Sequence, residues 1–211
     1  MKVVPALLTD NKDEFLKMID ICRGFTDYVQ VDIMDGEFVP SASITLDELT
    51  QCRSSIGSEA HLMVEDPIRW IVPFKQFGAD RIIFHHEMKR KNHAEVIEKI
   101  RENGLSAGLA VNPSTPIDDF KGLIPDLDMV LFMSVIPGFY GSQFIPEVLD
   151  KIRTFKSLFP QTIAAIDGGV KLDNAKEIIR SGVDYLCVGS ALLKADPPQD
   201  AYRQFRELTH G

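Results

Sequence analysis

Cysteine is scarce in this 211-residue chain, which has only Cys22, Cys52 and Cys187. An odd count without metal-type spacing excludes a disulfide framework and a cysteine-rich zinc site, and it reads as a reduced, intracellular protein. Positive charge is also short. Lys and Arg number 23 against 31 Asp and Glu, a formal net charge of −8. That disfavours nucleic acid as a partner, since phosphate backbones demand clustered Lys and Arg. It leaves room for a small phosphorylated ligand, which needs only a few donors. No stretch approaches the ~20 apolar residues of a membrane span. The start, Met1-Lys2-Val3-Val4-Pro5, has too short an apolar run for a secretory signal, and Asp10 and Asp13 soon follow. The expectation is a soluble cytoplasmic protein. The remainder, 45% hydrophobic and 26% charged, suits one globular domain over residues 1–211 with a sizeable core.

Short apolar runs rich in Val, Ile and Phe alternate with longer segments of helical period. Strands are predicted at Val3–Leu7, Tyr28–Asp32, Glu59–Met63, Arg81–Phe84, Ser106–Val111, Met129–Phe132, Thr162–Asp167 and Tyr185–Val188. Between them, Asp66-Pro67 and Thr115-Pro116 each place a capping side chain before a first-turn proline. Gly104 and Gly182 sit where the helices after Asn92 and Lys171 should stop. Phe15, Ile19 and Cys22 share one helical face. Strands alternating with helices imply a parallel sheet, open or closed. The count of strands, with no linker or compositional break, favours a closed (β/α)₈ TIM barrel.

In such a barrel chemistry gathers at the C-terminal ends of the strands. Strand side chains alternate, so Tyr28, Gln30, Asp32 and Met34 share one face, while Val29, Val31 and Ile33 form a wholly apolar opposite face. The polar face must therefore point into the barrel. The same parity turns His61 and Met63 inward, and with them Ile163, Ala165 and Asp167. Taken singly, these polar residues are as well explained as loop-capping carboxylates and a hydrogen-bonded core histidine. Together, on matching faces at one rim, Asp32, His61 and Asp167 suit a divalent ion, acid/base work, or both. His85, His86 and Glu87 make a second polar group in which one of the two histidines must point away from the interior, and orienting neighbours is as good a role as catalysis. His93 and His210 are expected at the surface.

Three glycine-bearing loops follow the last three strands: Pro137-Gly138-Phe139-Tyr140-Gly141-Ser142, Gly168-Gly169 and Gly189-Ser190. Glycine lets backbone N–H groups approach an anion, and the last loops of a barrel are a frequent phosphate site. Each pair alone marks only a turn. Three in consecutive loops point to a phosphorylated substrate.

At these residues the chain resembles the ribulose-phosphate 3-epimerase family. That family's motif reads His-x-Asp-x-Met-Asp-Gly-x-Phe-Val-Pro-Asn, and here it stands as Gln30-Val31-Asp32-Ile33-Met34-Asp35-Gly36-Glu37-Phe38-Val39-Pro40-Ser41. The likeness runs on through His61-Leu62-Met63-Val64, His85-x-Glu87, Gly108, Asn112-Pro113-Ser114-Thr115-Pro116 and Met133-Ser134-Val135-x-Pro137-Gly138-Phe139. It ends with Asp167-Gly168-Gly169-Val170 and Gly189-Ser190-Ala191, so it covers nearly the whole chain in order. The resemblance implies epimerisation at carbon 3 of a ketose phosphate: D-ribulose 5-phosphate and D-xylulose 5-phosphate, or a related pentulose or hexulose phosphate. Asp32 and Asp167 would work from opposite faces of the substrate, one removing the C3 proton and the other supplying one. One divalent ion (Mg, Mn, Fe, Co or Zn) is implied on Asp32, His61 and Asp167, acting as Lewis acid on the enediolate oxygens. His61 would also face substrate, and Met34, Met63 and Met133 match a soft cap over the intermediate. The resemblance also implies that His85, not His86, is the inward histidine. Gly138, Phe139, Tyr140, Gly141, Ser142, Gly168, Gly169, Gly189 and Ser190 match the phosphate grip. Homo-oligomers are common in the family, and one is expected here.

Four departures stand out. Gln30 occupies the place of the first histidine ligand, and an amide oxygen is a harder and weaker ligand than imidazole. Mg²⁺, Mn²⁺ or no ion at all then gains over zinc. Ala6 replaces a substrate-contacting serine, Tyr140 a glycine of the phosphate loop, and Ser41 an asparagine. Two other readings compete. A lyase on the same barrel would want an Asp-x-Lys pattern, but Met34 stands two places after Asp32. A metal-free sugar-phosphate-binding or regulatory protein is supported by Gln30 and opposed by the retention of both aspartates.

Overall fold

The computed structural model describes residues 1–138 and 143–209. Eight parallel strands close on themselves in sequence order. They are β1 (Lys2–Leu7), β2 (Tyr28–Met34), β3 (Gly57–Met63), β4 (Ala79–His85), β5 (Ser106–Val111), β6 (Met129–Met133), β7 (Ile163–Asp167) and β8 (Tyr185–Val188). The helices between and after them are α1 (Lys12–Arg23), α2 (Leu46–Thr50), α3 (Ile68–Phe77), α4 (His93–Glu102), α5 (Ile117–Phe120), α6 (Val148–Leu158), α7 (Leu172–Arg180), α8 (Ser190–Leu193) and α9 (Pro198–Leu208). The expected TIM barrel is therefore present. The predicted strands are all found, two of them, β5 and β8, with the expected bounds. Among the described residues, no helix is long and apolar enough to cross a membrane.

Alternation sorts the side chains into two cores. Val29, Val31 and Ile33 of β2 pack outward with Phe15, Phe74 and Phe155 from the surrounding helices. Tyr28, Ile83, Ala110, Met129, Leu131 and Ala165 fill the barrel's interior. Each fully buried Ile or Phe contributes about 1.5–3 kcal/mol by leaving water, so the outer ring supplies most of the stability. The interior needs small residues as well as large ones. A Cβ on Gly108 would lie 2.8 Å from Cγ1 of Ile83, so the glycine leaves the space that isoleucine occupies.

Helix ends follow the expected chemistry in part. Gly104 and Gly182 adopt positive φ (72° and 91°) just beyond α4 and α7, as expected of helix stops. The expected caps at Asp66 and Thr115 do not form: Pro67 and Pro116 themselves take the N-cap positions of α3 and α5, with no side-chain cap bond. Thr115 spends its hydroxyl on Glu87 instead, at 2.5 Å. His93, expected at the surface, is buried. Its ring stacks on His86 at 4.7 Å, and its Nε2–H donates to the His86 carbonyl at 2.8 Å. His210 lies outside the described residues.

Candidate active site

The C-terminal rim is held by backbone ties that follow from short polar residues. Asp32 lies level with His61 across β2 and β3, and Met133 lies level with Asp167 across β6 and β7. Just past β2, Oδ1 of Asp35 accepts the backbone N–H of Glu37 and Phe38, each at 2.8 Å, and Oδ2 accepts that of Glu65 at 2.7 Å. Gly36 makes this turn at φ 77°. Beyond β7, the Ser134 hydroxyl reaches the carbonyls of Asp167 and Gly168 at 2.9 and 2.6 Å. Gly168 has φ 107°, and a Cβ there would meet Val135 at 2.5 Å. Only glycine fits.

Inside this rim, Nε2 of Gln30 donates to Oδ1 of Asp32 and to Oδ2 of Asp167, both at 2.7 Å. Nδ1 of His61 lies 3.0 Å from the same Asp32 oxygen and 3.4 Å from the same Asp167 oxygen. Gln30 and His61 are fully buried, and the two aspartates nearly so. Burial and the facing Asp167 push the Asp32 carboxyl above its ordinary range, against the pull of His61 and Gln30. Burial alone would push His61 down, but its hydrogen bonds to Asp167 and Asp32 prevail and hold it up at about 9. Two carboxylates and one imidazole thus converge on a point that calls for a cation.

The ligand atoms of Asp32, His61 and Asp167 all lie within 4.8 Å of one another, and their donor set suits a divalent ion. Gln30 meets that test differently from an imidazole. It turns its amide nitrogen to the carboxylates, while its buried Oε1 has no hydrogen-bond partner. Turning the amide over would aim Oε1 at the same point as the other three donors. The residues present fit an ion with three ligands, and the orphaned oxygen is available as a fourth.

Behind His61 stands a second layer. Nε2 of His85 is 3.0 Å from Nε2 of His61, and Nδ1 of His85 is 3.2 Å from Oε2 of Glu87. His85 is inward, as its motif suggests. Burial pushes its ring down. Burial opposes ionisation of Glu87 too, but the hydrogen bonds it accepts from His85, the Asn112 backbone N–H and Thr115 hold it at about 2. Sequence reasoning named Glu87 but did not pair it with Asn112 and Thr115, which the β5–α5 loop brings to it.

A cavity of about 680 Å³ opens over this group, walled by Ala6, Leu8, Val135 and Cys187, with Asp32 and Asp167 at its edge. Gly168, Gly169, Gly189 and Ser190 line one side, and Lys17, Lys171 and Lys194 also reach it. Ala6 therefore stands in the cavity wall without a hydroxyl. The helix opened by Ser190 is only four residues long, so an anion placed there would meet bare N–H groups rather than a helix dipole. Gly138, expected in the phosphate grip, packs on Val39, and its carbonyl accepts a hydrogen bond from Oγ of Ser41 at 2.7 Å. Phe139, Tyr140, Gly141 and Ser142 lie outside the described residues. Met34 and Met63 cluster with Val39, Leu8 and Phe38, while Met133 sits apart in the barrel interior.

Comparison with known proteins agrees with this geometry. In fold, the chain is similar to 3-hexulose-6-phosphate synthase from Salmonella typhimurium, with a TM-score of 0.76 over 100% of this chain and 99% of that one, at 17% identity. In sequence, it is 34% identical over 214 residues to ribulose-phosphate 3-epimerase of Bacillus subtilis, covering 98% of both chains. It is 41% identical over 192 residues to ribulose-phosphate 3-epimerase 2 of Cupriavidus necator, covering 85% of this chain and 78% of that one. The sequence model of the ribulose-phosphate 3 epimerase family matches residues 2–193, a span that begins with β1 and holds every residue of the rim just described. With family match, relatives and convergent carboxylates in agreement, the chain belongs to the ribulose-phosphate 3-epimerase family.

Proposed function

We propose that this protein epimerises carbon 3 of a ketose phosphate, interconverting D-ribulose 5-phosphate and D-xylulose 5-phosphate or a close pentulose or hexulose analogue. The observation that carries the reading is the pair of carboxylates joined through one amide nitrogen, Asp32 and Asp167, each 2.7 Å from Gln30. A substrate lying across them offers one face of C3 to each. One aspartate, as carboxylate, takes the C3 proton. The other, as acid, gives a proton to the opposite face, which inverts the centre. Their protonation states exchange in each turnover, so the pair suits reaction in both directions. Asp32, His61 and Asp167 would hold a divalent ion, which supplies Lewis acidity toward the substrate's C2 and C3 oxygens. The clustered Met34 and Met63 exclude water above the reacting carbon, and Met133 adds apolar surface below. The backbone N–H groups of Gly168, Gly169, Gly189 and Ser190 would take the phosphate. The binding-only alternative draws no support from the relatives, which are named as epimerases.

The test is proton exchange. Purified protein supplied with Mg²⁺, Mn²⁺, Fe²⁺, Co²⁺ or Zn²⁺ in turn should wash deuterium from D₂O into C3 of D-ribulose 5-phosphate, followed by nuclear magnetic resonance. No exchange at C3 of any pentulose or hexulose phosphate, with any of these ions, would sink the reading.

A further inference from the structure

Glu87 and His85 touch no part of the cavity wall, yet both are committed to one hydrogen-bonded line ending at His61. The direction of that line can be read from its far end. Oε1 of Glu87 accepts the backbone N–H of Asn112 at 2.8 Å and the Thr115 hydroxyl at 2.5 Å. A backbone N–H can only donate, so Glu87 is an acceptor. Its Oε2 faces Nδ1 of His85 at 3.2 Å, so that nitrogen carries a proton. A neutral imidazole protonated there offers a lone pair at Nε2. That lone pair lies 3.0 Å from Nε2 of His61, which therefore donates. The Nε2 proton of His61 is thus committed away from the site, so the proton that Nδ1 holds toward Asp32 and Asp167 in the ion-free protein is the one an ion would displace, leaving the Nδ1 lone pair as its ligand.

The line is held at its Glu87 end and at its middle. Nζ of Lys151 donates to the carbonyls of Asn112, Pro113 and Thr115 at 2.8, 3.0 and 3.1 Å, anchoring the loop that anchors Glu87. The ring of Phe38 lies 4.8 Å from that of His85 and limits its rotation. We propose that Glu87 is a positioning residue that, acting through His85, fixes the tautomer of His61 so that its Nδ1 is presented to a divalent ion. The inference rests on the ion-binding reading of Asp32, His61 and Asp167.

Glu87→Gln tests it with almost no change of shape. Asn112 and Thr115 still donate to the side-chain oxygen, so the new amide nitrogen must donate to His85. His85 then accepts at Nδ1 and carries its proton on Nε2. His61 is forced to accept at Nε2 and to keep its proton on Nδ1, where the ion would bind. In ¹⁵N-histidine-labelled, ion-free protein, two-bond ¹H–¹⁵N spectra should show native His85 protonated on Nδ1, and protonated on Nε2 in the variant. Mn²⁺ affinity, followed by electron paramagnetic resonance, should fall about 10–100-fold, the usual effect of losing an outer partner of a metal ligand. Thr115→Val removes one donor without reversing the line, and it should keep the native tautomer and most of the affinity. Native His85 protonated on Nε2 would overturn the proposal, even if Glu87→Gln does not fold. So would a folded Glu87→Gln with the native tautomer and undiminished Mn²⁺ affinity. Both readouts need no substrate, so a protein that binds Mn²⁺ but exchanges no sugar proton would sink the epimerase reading alone.

Discussion

The two ends of the barrel bury similar chemistry and settle its charge in opposite ways. At the N-terminal end, Glu59 and Arg81 pair at 2.6 Å, the Tyr28 hydroxyl donates to Asp80, and Nζ of Lys2 sits 3.3 Å over the Tyr28 ring. Burial pushes the Glu59 carboxyl up, and Arg81 is the main force pulling it back. Every charge there has an opposite. At the C-terminal end, β2 and β3, which carry Tyr28 and Glu59 at the floor, carry Asp32 and His61, and β7 adds Asp167 across from them. Here two carboxylates share one amide and one imidazole, a donor set that could hold a divalent ion. A barrel floor can be neutralised within the chain. A reacting rim has to leave a place for what arrives from outside.

Substitutions at the two ends should separate cleanly, beginning with the rim. Asp167→Asn and Asp32→Asn should each lower kcat on D-ribulose 5-phosphate by about 10³-fold or more, the size of a lost acid/base group, while circular dichroism shows an intact fold. Glu59→Ala should do the reverse. Leaving Arg81 buried without its partner should cost about 3–5 kcal/mol in urea unfolding, with little change in rate per folded molecule. A Glu59→Ala protein as stable as the native one but inactive would erase the distinction between floor and rim. Gln30→His should raise Zn²⁺ affinity by about tenfold, roughly 1.4 kcal/mol, because imidazole is a better donor than an amide. An unchanged affinity would mean that position 30 lies outside the ion's reach.

The smallest effect concerns pH. His61 is held at about 9 in the ion-free protein, above its ordinary value near 6.5. Its contribution to stability is therefore fully present below about 6.5 and is lost as pH rises through about 9. Ion-free protein should melt at progressively lower temperature across that window. Mn²⁺ affinity should climb over the same range, because the ion displaces the Nδ1 proton. A melting temperature flat from pH 6.5 to 9 would count against the charged imidazole.

Much of this was legible because strand parity is strict. Once Val29, Val31 and Ile33 read as an outward face, Gln30 and Asp32 had to point inward, and His61 and Asp167 followed by the same rule. The same parity turns Glu59 inward, two residues before His61, although sequence reasoning did not name it. Its partners Arg81 and Lys2 needed the strand register to be found. What parity cannot supply is the orientation of a symmetric-looking group. The Gln30 amide can present nitrogen or oxygen, and its tertiary partners decide which. His93 was misplaced for a related reason: its burial comes from stacking on His86 and a carbonyl bond, contacts with no trace in local periodicity. Thr115 carries a strong capping signal, but an ionised Glu87 nearby was the better acceptor for its hydroxyl.

The sealed floor has a kinetic consequence. With Tyr28, Glu59, Arg81 and Met129 buried across it, the floor is closed among the described residues, and the cavity beside Asp32 and Asp167 lies at the opposite, C-terminal end. Substrate and product then queue for the same opening. Each isomer competes with the other for free enzyme, so when the site is saturated the net flux in a mixture follows the ratio of the two concentrations rather than their sum.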